Sequence, residues 1–162
     1  MCLTTDGMNR SRTSRLHLKG FEQHMANRLE LLRTIIGLTS FKTLYDSTQE
    51  NEFVMFADST VQTVPPTYDR TAFEASENHV HLLDHITRRE FHTLLPLAPQ
   101  LGELLLVSLK HAFPEKHFIV YVSVHLNDSL IVRFHQKWPG ELPFCDPANF
   151  QSGDERVFSI EG

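Results

Sequence analysis

Three histidines and an aspartate crowd into seven residues, His79-Val-His81-Leu-Leu-Asp84-His85. Imidazole nitrogens and carboxylate oxygens are the donors that zinc and similar divalent ions take. On a helix His81 and His85 stand one turn apart, with His92 extending the same side; on a strand His79 and His81 share a face instead. The competing reading makes the segment a polar helix flank with no ligand. A second constellation comes from residues 118–135. There Tyr121, Ser123 and His125 alternate with one apolar row, and Arg133 and His135 alternate with another. Five such side chains on one sheet face suit a binding surface or general acid–base chemistry, although such a face is more often plain solvated sheet. Just beyond lie Trp138, the only tryptophan, then Glu141 and Phe144. Trp is among the residue types that dominate protein–protein contacts, although Trp138 can also close one end of a core. The sequence has no Gly-rich phosphate loop, no GxSxG elbow and no HExxH helix.

The elements that must position these groups are legible to different degrees. Phe118, Val120, Val122, Val124 and Leu126 form one alternating row, and Leu130, Val132 and Phe134 another, around Asn127-Asp128. That pattern predicts an antiparallel hairpin. Phe21, Met25, Leu29, Leu32 and Ile36 recur at helical spacing, with Gly37 placed to cap the end. Three short strands are predicted over 41–45, 52–57 and 60–64, closed by Pro65-Pro66. Residues 67–80 carry little periodicity. A helical stretch is expected from Ile86 to Ala112, restarting near Pro96, with Leu97, Leu101, Leu104, Leu105 and Ser108 on one side. Trp138-Pro139-Gly140 reads as a turn, Leu142 to Asn149 as a loop, and Arg156 to Ile160 as a last strand. The predicted class is α+β: an antiparallel sheet with helices packed on one face, in a single domain over 21–162.

Residues 1–20 read as a mobile basic tail, in which four basic residues against one acidic leave +3. In the rest, eleven basic against nineteen acidic residues leave −8. An acidic body disfavours nucleic-acid binding and favours solubility or a basic partner. Cys2 and Cys145 stand apart from any CxxC pattern, so a reducing, cytoplasmic setting without cofactor is expected. No apolar run reaches transmembrane length, so no membrane partner is expected.

Two resemblances bear on function. The 79–85 run resembles the HxHxDH motif of metallo-β-lactamase-fold hydrolases, with one extra residue between His81 and Asp84 that rotates Asp84 and His85 out of register. The stretch Asp128-Ser-Leu-Ile-Val-Arg-Phe-His-Gln-Lys-Trp138 resembles the C-terminal hairpin of small bacterial immunity proteins paired with polymorphic toxins. That second resemblance implies a cytosolic α+β domain that neutralises a basic toxin domain without catalysis. Tyr121, His125, Arg133, His135, Trp138 and Glu141 are then the expected contact residues. The alternative is a small metal- or histidine-dependent hydrolase built on His79, His81, Asp84 and His85. Self-association is a third reading.

Overall fold

The computed structural model describes residues 36–65 and 69–162. The predicted tail and nearly all of the predicted helix of residues 21–36 lie outside them. Within the unit running from Gly37 to Gly162, Phe41–Asp46 (β1) and Asn51–Phe56 (β2) pair as an antiparallel ribbon, with Phe41 opposite Phe56. Arg70–Glu77 (α1) follows, then His79–Asp84 (β3), Arg88–Leu94 (α2) and Ala98–Ala112 (α3). The predicted hairpin is Phe118–His125 (β4) and Ser129–Gln136 (β5). A short 3-10 turn at Pro147–Phe150 precedes the last strand, Glu155–Glu161 (β6). The four later strands form one antiparallel sheet in the order β3-β5-β4-β6. The fold is α+β, and its strands divide between two sheets.

The alternating rows meet the expectation for the hairpin. Phe118, Val120, Val122, Val124, Val132 and Phe134 are fully buried on one face, against Leu105 and Leu109 of α3, Phe91 of α2, and Val54 and Phe56 of β2. Phe134 sits at the centre of an aromatic cluster, with the rings of Phe56, Phe41 and Phe118 at 4.9, 5.9 and 6.1 Å. Such edge-to-face contacts add to the burial of the rings themselves.

Helix α3 seats differently from its leucine count. Its buried line is Ala98, Gly102, Leu105, Leu106 and Leu109, whereas Leu97 and Leu104 are about half exposed. The reason is Gly102. A Cβ there would collide with the Ile160 side chain and lie 3.2 Å from Val122 Cγ2, so the missing side chain lets the helix settle onto β4 and β6 along this line.

Two further expectations are corrected. Residues 60–64 form no strand, although Val61 and Val64 pack against Phe53 and Met55. One edge of β2 is paired with β1, and the other is occupied by side chains of α1, so no ladder partner is left. Residues His79–Asp84 form a strand, not a helix flank: β3 pairs with β5, His79 opposite Arg133 and His81 opposite Ile131. As expected, the 86–112 stretch restarts near Pro96 and is two helices, Arg88–Leu94 and Ala98–Ala112. The first is opened by Thr87 and Glu90 in a capping box, which satisfies the first-turn N–H groups from both directions.

Candidate functional site

Alternation along β4 and β5 sends Tyr121, Ser123, His125, Arg133 and His135 to the face opposite α3, with Tyr121 opposite Arg133. The side chains share a face as the sequence predicts, but that face is not open. The loop after β5 crosses it, and Cys145 and Phe150 pack on Ile119, Tyr121 and Val157. Tyr121 is 2% exposed and His135 is 1% exposed. Tyr121 and His135 are therefore interior residues, placed under the loop that sequence alone leaves as a loose connection.

The bonding of His135 fixes its state. Its Nδ1–H donates to the Gln136 carbonyl at 2.7 Å, so Nε2 is free to accept the Phe144 N–H at 3.3 Å. Tyr121 stacks on the ring at 5.7 Å, with its hydroxyl 3.4 Å from Nε2. Burial lowers the His135 pKa, which keeps the ring neutral in this role. Burial also pushes the Tyr121 phenol up to about 12. These two side chains hold the loop down; they are spent on structure.

Arg133 and His125 remain half-buried on the same face. His125 Nδ1 lies 3.3 Å from Glu155 of β6, while the Arg133 guanidinium lies over the Phe144 ring, 4.3 Å from its centre. Between loop and sheet is a cavity of about 260 Å³, lined by both residues together with Tyr121, Ser123, Phe144, Phe150 and Val157.

Trp138 and Glu141 lie elsewhere, at the start of α1. Trp138 packs on Phe53 and closes the small cluster of Phe53, Met55 and Phe73, and Arg70 covers its outer face at 4.8 Å. Glu141 receives Arg70 Nε at 2.6 Å and the Thr71 N–H at 2.8 Å. Partial burial works against its charge, but those hydrogen bonds outweigh it and hold the carboxyl below the usual range. Alongside runs a groove of about 350 Å³, lined by Asp69, Thr71, Ala72, Glu141, Leu142, Pro143 and Phe144. Leu142 projects beside it, 85% exposed.

On the strand His79 and His81 share a face, their ring centres 5.6 Å apart. His79 Nδ1 bonds the Ser76 carbonyl at 2.8 Å, and His81 Nδ1 bonds Asp84 at 3.2 Å. His85 occupies a turn with φ of 59°. Among the described residues, no group of three or more His, Cys, Asp and Glu side chains is placed to hold a metal ion.

Sequence reasoning missed the most connected polar residue, Glu74. It is completely buried on α1 and accepts hydrogen bonds from the Val54 N–H (2.8 Å), the Gln136 N–H (2.6 Å), Gln136 Nε2 (2.8 Å) and Trp138 Nε1 (3.1 Å). Burial pushes its carboxyl up to about 7, and the four donors pull against that shift. The available signal was Asp69 followed by Arg-Thr-Ala-Phe-Glu-Ala, an N-cap ahead of good helix formers. Comparison with protein-family models, curated proteins and solved structures finds no match for this chain.

Proposed function

We propose that this chain is a non-catalytic protein-binding module whose partner presents a basic surface, in the manner of the immunity proteins that its hairpin resembles. The observation that carries this reading is the groove beside Leu142. A large apolar side chain stands 85% exposed on a loop that is anchored at both ends. On one side Glu141 is tied to α1, and on the other Cys145 and Phe150 pack on the sheet. An apolar anchor with a polar rim, held on rigid elements, is how protein interfaces are built.

Charge supports the same reading. Residues 36–162 carry nine basic and seventeen acidic side chains, a balance of −8. Three of the cations are already paired with carboxylates: Arg70 with Glu141, Lys116 with Glu52 and Lys137 with Glu161. The field outside the domain is therefore negative, and Asp69 brings that sign to the groove itself. A Lys or Arg of a partner, its stem against Leu142 and Pro143, suits this combination. Of the six residues predicted from sequence, Glu141 lines the groove and Trp138 supports the loop from behind. No helix among the described residues is long and apolar enough to cross a membrane.

The test is capture from the host on immobilised wild type and on the Leu142→Asp variant. A partner with a basic contact surface should be retained by wild type and lost by the variant. Its association should slow as salt rises, because steering is screened over roughly 10 Å at 0.1 M. Equal capture by both forms, an acidic partner surface, or no partner at all would reject the reading.

A further inference from the structure

The cavity between the sheet and the loop, distinct from the outer groove, contains a charge without a counter-ion. Arg133 is half-buried there, its guanidinium seated on the Phe144 ring at 4.3 Å. Among the described residues no carboxylate pairs with it and no acceptor takes its N–H groups. Arg70, Lys116 and Lys137, by contrast, each have a carboxylate within 3.1 Å. Half-buried, the guanidinium has one face on the Phe144 ring and leaves its N–H groups to solvent or to an anion that enters the cavity. The rest of the lining is mixed. Ile131, Phe150 and Val157 supply apolar walls, and Ser123 adds a hydroxyl diagonal to Arg133 across the β4–β5 pair. A largely apolar cavity with a few convergent polar groups is the usual form of a small-molecule site.

Size and charge narrow the ligand. A volume of about 260 Å³ admits a molecule of modest size only. Glu155, held by His125, stands two strands over from Arg133 and four residues further along β4, so the cavity has one cationic end and one anionic end. A single negative charge at the Arg133 end fits that arrangement; a multiply charged phosphate does not. The planar guanidinium fork matches a carboxylate in two parallel hydrogen bonds.

We propose that this cavity binds a small organic monocarboxylate with an apolar body, the carboxylate on Arg133 and the body against Ile131, Phe150 and Val157. The site does not depend on the groove outside the loop being an interface, and each fails or stands by its own test.

The experiment is a titration of the isotopically labelled full chain with phenylacetate and 3-methylbutanoate, followed through backbone amide resonances. Phenylacetamide and inorganic phosphate serve as the neutral and the purely anionic comparisons. Saturable shifts centred on Ser123, Arg133 and Phe144 are expected with the carboxylates, with affinity in the millimolar range or tighter. Phenylacetamide and phosphate should bind at least tenfold more weakly. Arg133→Gln should lose the carboxylate tenfold or more, and Arg133→Lys should retain part of the affinity. Absence of saturable shifts at about 10 mM, beyond the range of even weak sites, would overturn the proposal. So would equal binding of phenylacetamide or of phosphate. These comparisons are made on wild type and stand even if Arg133→Gln does not fold.

Discussion

Glu74 and Asn78, one helical turn apart, between them bond three successive polar groups on the edge of β2. Glu74 accepts the Val54 N–H at 2.8 Å; Asn78 donates to the Val54 carbonyl at 2.7 Å and accepts the Phe56 N–H at 3.0 Å. The pair does the work of a neighbouring strand. Because Glu74 also takes the Gln136 N–H and Asn78 O the Phe134 N–H, the same two residues join the ribbon to the end of β5.

That arrangement predicts stability that falls as pH rises from about 4.5 to about 7. Burial raises the Glu74 carboxyl from 4.5 to about 7, so the folded state holds a proton that the unfolded chain releases. Its stabilising contribution is full below about pH 4.5 and is lost as pH rises through about 7. The loss should be of the order of 3 kcal/mol at roughly 1.4 kcal/mol per pKa unit. Urea unfolding between pH 5 and 8 should show it. In Glu74→Gln the slope should flatten, with a pH-independent cost of about 1–3 kcal/mol because an amide NH₂ now faces N–H donors.

His135 acts with the opposite sign. Burial lowers its pKa below the ordinary value of 6.5. The unfolded ring therefore takes a proton that the folded one refuses. Its contribution is full above about pH 6.5 and falls as pH drops through the lowered folded value. His135→Asn should remove this slope and leave the opposite one of Glu74 in place, as read by the same unfolding curves.

Val122 and Val132 face each other in the hairpin and are both fully buried. Val122→Asp or Val132→Asp should abolish folding, because either places an unpaired charge in the core. Gly102→Leu should cost several kcal/mol by forcing α3 off β4 and β6, whereas Gly102→Ala should cost less because the Ile160 side-chain end can move. Thermal melts would decide; a cooperative, wild-type-like transition in Val132→Asp would contradict the face assignment.

Trp138 and Leu142 should separate packing from contact. Trp138→Ala removes the lid over Phe53 and a donor to Glu74, and should lower stability by about 2–4 kcal/mol. Leu142→Asp touches no core and should stay within about 0.5 kcal/mol of wild type. Denaturant midpoints measured side by side test both.

The histidine segment offers a chemical check on the hydrolase alternative. His79 and His81 are engaged with Ser76 and Asp84 within their own neighbourhood. Chelator should leave the melting temperature unchanged, and purified protein should lack stoichiometric zinc. Zinc lost on His81→Ala would restore the metal reading, since a site that binds only the folded state adds to its stability.

The hairpin was determined by the sequence itself, because its two apolar rows differ from their polar neighbours at every second position. The same alternation put Tyr121, Ser123, His125, Arg133 and His135 on one face. Helix α1 escaped notice because the face it buries includes Thr71, Glu74 and Asn78, which hydrophobic periodicity counts as solvent-facing. Strand β3 was obscured by its histidines, and its place at the sheet edge lets them stay exposed. What only tertiary structure decided was which polar groups are covered. Tyr121 and His135 are interior because a proline-rich loop closes over them, and Glu74 is tolerated inside because four N–H groups from β2, β5 and Trp138 converge on it. Both depend on residues distant along the chain, whose approach no local pattern encodes.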